Sequence, residues 1–146
     1  MAVSINALQA VQIANQTRLL NGGAEAWGQK VRVSFVKSTT AYPYVLQFWA
    51  GGGHDQSIRT RDATLRMGVK AVSDKMDDAL KAAERIHDLL HNHGRLDNSA
   101  EYLSGGTDWD ILTITEEDAI YLAEWAPDTI PIYHAGAYYR YIMQHK

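Results

Sequence analysis

The sequence predicts an α+β fold: a mainly antiparallel β-sheet with two helices packed on one face and a projecting long β-hairpin or arm. Three observations predict it. Apolar and polar residues alternate with period two in runs joined by short turns, as antiparallel strands require. Two stretches of helical periodicity stand apart from those runs instead of alternating with them one by one. One alternating stretch, Ser57 to Val72, is far longer than an ordinary strand.

Ser4 can cap a first helix running to about Leu20, since Ile5, Leu8, Val11, Ile13 and Leu19 recur at roughly helical spacing and Asn21-Gly22-Gly23 supplies the stop. Val31 to Phe35 alternates as a half-buried strand. Tyr42 to Trp49 reads as a second strand with Pro43 near its start, where a missing N–H costs no ladder bond, and Gly51-Gly52-Gly53 is expected to break it. Ser57 to Val72 then alternates over about 16 residues, roughly 53 Å at the usual rise. Its first half is Arg, Thr, Asp and Ser, whereas Ala63, Leu65, Met67, Val69 and Ala71 form an apolar face. The polar half is expected to protrude as an arm and the apolar half to cover a core.

Ser73 is expected to cap the second helix, whose first turn carries Asp74, Asp77 and Asp78 as the helix dipole favours, and which runs to about His91 before Gly94. Residues 94 to 108 read as loop. Trp109 to Thr115 alternates as a strand, Ile120 to Trp125 fits either a strand or a short helix, and Ile132 to Met143 is a final aromatic, β-branched strand.

A chain of 146 residues fits one domain, 1–146, which at that length can bury roughly two-thirds of its unfolded surface. With 46% hydrophobic and 21% charged residues and no biased tract, disorder is not expected. Seventeen acids against 14 bases give a net charge of -3, scattered along the chain, so neither nucleic acid nor an anionic membrane is the default partner. The absence of cysteine excludes disulfides, thiol catalysis and cysteine-ligated zinc. The first residues lack a basic region followed by an apolar stretch, and no run of ~18 apolar residues occurs, so a soluble chain made in a cytoplasm is expected. Asn15-Gln16-Thr17 matches a glycosylation sequon, a motif that matters only in a secreted chain.

His87-Asp88-Leu89-Leu90-His91 is the one stretch that approaches a catalytic motif, the zinc-peptidase pattern H-E-x-x-H. Two histidines four apart share a helix face there, and the acid after the first polarises a metal-bound water. Here the acid is Asp88, about one bond shorter, and His54, His93, Glu84 and His134 are the candidates for a third ligand. With Ile86 at the centre of the apolar face, His87 falls at about 100° and His91 at about 140°, on its flank. The competing reading is structural: flank histidines near a helix C-terminus complement its dipole, and Glu84–His87 or Asp88–His91 can pair along the helix.

Other motifs have bland readings. Gly51-Gly52-Gly53-His54-Asp55 has no Gly-Lys-Ser/Thr after it and opens no helix, so a turn is expected there and not a phosphate loop. No G-x-S-x-G elbow occurs. Tyr133, Tyr138, Tyr139 and Tyr141 beside Arg140 could stack on bases, but the strand carries few bases, and sheet packing or a protein interface suits them better. The reading therefore assigns no catalytic residue, no cofactor and no metal, with His87 and His91 kept as the alternative.

The order of these segments resembles the tail-completion or tail-terminator proteins of long-tailed bacteriophages. The resemblance spans about residues 4 to 143. It rests on the short first helix, Tyr42-Pro43-Tyr44-Val45 opening a strand, the long alternating strand, the helix from Ala79-Leu80 through Arg85-Ile86-His87-Asp88-Leu89-Leu90, and the closing Tyr133-His134-Ala135-Gly136-Ala137-Tyr138-Tyr139-Arg140. The loop from Gly94 to Asp108 and the segment from Ala126 to Pro131 depart from it. The resemblance implies a non-enzymatic virion protein at the head-proximal end of the tail. Its subunits form a ring, typically a homohexamer, that caps the tail tube and joins it to the head connector or head-completion protein. It also implies assembly in the host cytoplasm, DNA passing through the lumen without specific binding, and no membrane partner. In such a ring the arm residues Ser57, Ile58, Arg59, Thr60, Arg61 and Asp62 are the expected contact to the next subunit or the tube.

Overall fold

The computed structural model describes residues 6–22, 27, 30–33, 41–54, 62–98, 100–125 and 130–146. The elements are α1 (Ala7–Gly22), β1 (Val31–Val33), β2 (Tyr44–His54), β3 (Asp62–Ser73), α2 (Met76–Leu90), β4 (Ser104–Gly105), β5 (Trp109–Trp125) and β6 (Pro131–His145). The six strands form one sheet in the order β1-β2-β3-β6-β5-β4. Every pair is antiparallel except β1 on β2. This is the α+β class that the periodicities predict.

The odd positions of β3, from Ala63 to Ala71, are buried, and they share one core with Ala10, Val11 and Leu19 of α1, Ile86 and Leu90 of α2, and Tyr139, Tyr141 and Met143 of β6. Both helices therefore cover the same sheet face, as expected. The even positions of β3 face the uncovered side, where Arg66 lies over the Tyr138 ring and Phe48 meets that ring edge-on. The alternating tyrosines of β6 thus split: Tyr139 and Tyr141 are core, and Tyr138 packs on the open face.

Local chemistry differs from the sequence reading in three places and decides between two readings in a fourth. Ser4 lies outside the described residues, and α1 is capped by Asn6. Its Oδ1 accepts from the Gln9 N–H at 2.8 Å while Gln9 Oε1 accepts from the Asn6 N–H, a reciprocal box that two amides make as well as Ser and Glu. Ser73 ends β3, buried, and its hydroxyl accepts from the Lys75 N–H, so α2 starts at Met76 without a side-chain cap. The three glycines do not end β2: a bulge between Trp49 and Gly51 lets the strand run on to His54. Gly52, at φ +81°, admits no Cβ, which would collide with the Thr64 carbonyl across the ladder. Finally, Ile120–Trp125 is strand, continuous with Trp109–Thr115 in β5 and interrupted only by shifts at Ile111/Thr113 and Glu116/Ala119.

A buried polar chain ties α1 to the sheet. The Tyr141 hydroxyl donates to Asn15 Oδ1 at 2.8 Å, Asn15 Nδ2 donates to Gln47 Oε1, and Gln47 Nε2 donates to the Gln12 carbonyl. Asn15 and Gln47 are fully buried, and each has its partners. Burial pushes the Tyr141 phenol above its ordinary value, opposed by its bond to Asn15.

Candidate functional site

α2, which carries His87 and is followed by His91 at its C-cap, lies along β6 and β3 and ends beside Glu116, the last residue of β5 before its second register shift. His87 Nδ1 stands 3.2 Å from Glu116 Oε2, and His91 Nδ1 accepts the Glu116 backbone N–H at 3.0 Å. The two rings stack, 4.6 Å between centroids and 23° between planes. Tyr139 donates to the same Glu116 carboxylate, and burial, reinforced by that carboxylate, pushes its phenol well above the ordinary range.

Stacked rings that each already serve Glu116 are a poor start for a tetrahedral metal site, which needs nitrogens converging on one point. His93 Nδ1 is turned to the His91 carbonyl and His134 pairs with Glu124 at 2.6 Å. The side chain of His54 lies outside the described residues. Among the described residues no three His, Asp or Glu side chains gather to hold a metal ion. The helix-internal pairs Glu84–His87 and Asp88–His91 give way to these cross-element contacts, because β5 brings Glu116 under the helix end.

The more distinctive feature is β5 itself. Its outer edge is closed from Trp109 to Glu116. β4 pairs with Trp109 and Asp110, and the loop after α2 then takes over, with Arg95, Leu96 and Asn92 donating backbone N–H groups to the carbonyls of Ile111, Leu112 and Ile114. Asp97 Oδ2 accepts the Ile114 N–H, and His91 accepts that of Glu116. The segment that sequence reading leaves as plain loop is thus an edge cover.

Beyond Glu116 the cover stops. From Glu117 to Trp125 no described residue bonds to the outer edge of the strand, which pairs only with β6 on its inner side. Tyr121 is 71% exposed and Trp125 75% exposed, and Met76 and Leu80 of α2 stand exposed nearby. An apolar cavity of about 240 Å³ lies between α2 and the β5–β6 pair, lined by Met76, Ala79, Leu80, Tyr121 and Tyr133 among others. An open strand edge with large apolar side chains beside it is chemically able to pair with a further strand. Alternation alone hides this, because Ile120 to Trp125 reads the same whether its edge is covered or bare.

Of the arm residues, Ser57, Ile58, Arg59, Thr60 and Arg61 lie outside the described residues. Asp62 opens β3 and pairs with Gln144 at the sheet's end. No described helix is long and apolar enough to cross a membrane.

No protein-family model matches the chain, and no curated protein matches it either. Among solved structures it is similar to a chain of the virion of a native gene transfer agent particle. That likeness has 16% sequence identity and a TM-score of 0.66, and covers 96% of this chain and 99% of the other. It shows a shared fold over nearly the whole length of both.

Proposed function

We propose that this chain is a structural virion protein. More specifically, we read it as a tail terminator or tail-completion subunit that rings the head-proximal end of a tail tube, stops its growth and joins it to the head connector. The observation that carries the reading is the end-to-end fold likeness to a chain of a phage-like particle, which agrees with the resemblance carried by the sequence motifs. The bare half of β5 supports it, since a subunit of a closed ring needs contact surfaces on two sides. Its partners are further copies of itself, in a homohexamer, with the tube protein on one side and a head-completion protein on the other. DNA passes through the lumen without specific binding, and the protein is not an enzyme.

The zinc-hydrolase alternative loses ground to the stacked, Glu116-bound arrangement of His87 and His91. The arm from Ser57 to Asp62 remains the proposed reach to a neighbouring subunit or the tube, and deleting Gln56 to Arg61 is expected to impair ring formation or tail joining. Electron microscopy of tails assembled without the protein, and again after its addition, tests the role. Tubes of uncontrolled length that become capped and head-competent on addition are expected. Tubes that form and join heads equally well without it would remove the proposal.

A further inference from the structure

We infer that the β5–β6 tip of one copy clasps the outer face of α1 on a second copy: Tyr121 and Trp125 straddle the neighbour's helix, and its Ile13 seats over Ala123. This contact rests on the ring reading above and specifies how adjacent subunits meet.

The tip projects from the sheet. Ala123 pairs with Tyr133 and Tyr133 with Ser73, the last residue of β3, so Glu124 and Trp125 run on with β6 beyond the end of β3. Tyr121 to Trp125 are exposed without a break, on both faces of the strand. Tyr121 and Ala123 pair with Ala135 and Tyr133, which continue the odd series of β6 that holds the core residues Tyr139 and Tyr141. Tyr121, Ala123 and Trp125 therefore share the helix side of the sheet, in the order large, small, large. The two rings start about 13 Å apart, four residues at the usual rise. Between them Ala123 borders the cavity of about 240 Å³ that Met76 and Leu80 also line.

The outer face of α1 has the complementary relief. Its exposed row, Gln9, Ile13, Thr17 and Asn21, is uncharged, and Ile13 is 58% exposed. α1 carries one charged residue in 16, Arg18, where α2 carries six in 15. A helix face that stays in water is normally charged, as that of α2 is, so α1 has the composition of a covered face. Two hollows flank the Ile13 ridge. One, of about 510 Å³, is lined by Arg18, Tyr102 and Leu103 among others, and the second, of about 400 Å³, by Gln12, Gln16 and Val33 among others. A helix about 10–12 Å across separates them, close to the spacing of the two rings. Tyr121 and Trp125 thus have a hollow each, and Ile13 has the gap over Ala123. Buried aromatic anchors of this kind carry much of the specificity of protein interfaces.

The charges agree in sign. Arg18 borders the larger hollow and gives one nitrogen to the Glu101 carbonyl. From Glu117 to Trp125 the strand has three acids and no base. Glu117 and Asp118 are held by Arg66 and Arg140 within the subunit, and Glu124 stands at the tip with one oxygen on His134. Tip and helix are different surfaces of one chain, so the contact is head-to-tail: each copy gives its tip to the next and offers α1 to the one before, as a closed ring requires.

The absence of cysteine makes the test direct. The double variant Ile13→Cys, Ala123→Cys is oxidised and run on a denaturing gel beside each single variant and a mixture of the two. The inference expects a ladder of covalent multimers from the double variant, dimers at most from the mixture, and monomer from each single variant. It also expects Trp125→Lys to weaken self-association about tenfold or more in a native mass spectrum while leaving the unfolding midpoint of the monomer in place. Ile13→Glu should weaken it more than Ile13→Lys, because the incoming tip is acidic. Covalent dimers from a single variant, or intact oligomers without a ladder, would overturn this contact and leave the ring standing. A ladder that runs on past six would support the contact and remove the closed hexamer. Neither oligomers nor a ladder would overturn both.

Discussion

The two halves of β5 share one strand, one inner partner and nearly one length, yet they are finished differently. From Trp109 to Glu116 the outer edge is sealed by β4, by backbone donors of residues 92 to 96 and by the side chains of Asp97 and His91. From Glu117 to Trp125 no described residue bonds to that edge, and Tyr121 and Trp125 stand in solvent. Proteins close strand edges that have no further use, because an open edge invites pairing. The contrast within one strand teaches that the described fold covers the edge at one end of β5 and leaves it open at the other.

Substitutions in the two halves should therefore separate stability from assembly. The largest effect is expected from Ile114→Ala, which empties a fully buried site in the sealed half and should cost about 2–5 kcal/mol in urea unfolding. Trp125→Ala in the bare half should change monomer stability by no more than about 0.5 kcal/mol while weakening association. Similar losses of stability from both would erase the contrast. Next comes Asp97→Ala, since one carboxylate oxygen accepts from both Gly94 and Ile114. A loss of roughly 1–2 kcal/mol and faster amide exchange at Ile114 are expected.

The tyrosines sharpen the same comparison through pH. Tyr139 and Tyr141 have folded pKa values raised above the unfolded value, chiefly by burial. A raised folded pKa means that the unfolded state releases its proton first. The stability linked to these phenols is fully present below about pH 10 and is lost as pH climbs beyond it. Denaturant midpoints should thus be flat in this respect up to about pH 10 and fall above it, and Tyr141→Phe should blunt the fall. A smaller loss than that of Asp97→Ala is expected from His87→Ala with His91→Ala: about 1 kcal/mol from the lost Glu116 contacts and no change in metal content.

Much of the architecture is legible in the residues themselves. Period-two alternation places β3 and its buried face correctly because Ala63 to Ala71 must all turn one way once a core forms on that side. Amphipathic spacing likewise finds α2, whose Ile86 is fully buried. What the sequence conceals is long-range. Nothing local says that the glycines bend β2 without ending it, or that Glu116 draws both histidines away from a metal. The buried chain Tyr141–Asn15–Gln47 joins three distant segments, so no window of sequence contains it. The open edge of β5 is hidden for the same reason, since openness is a property of what fails to lie beside a strand.

The central claim, that the chain works as a ring and not as a lone catalyst, is tested most directly by a native mass spectrum of the purified protein over a range of concentrations. The account predicts a metal-free closed oligomer, with the hexamer as its dominant species. A monomer at every concentration, carrying one zinc ion that disappears with His87→Ala or His91→Ala, would contradict it.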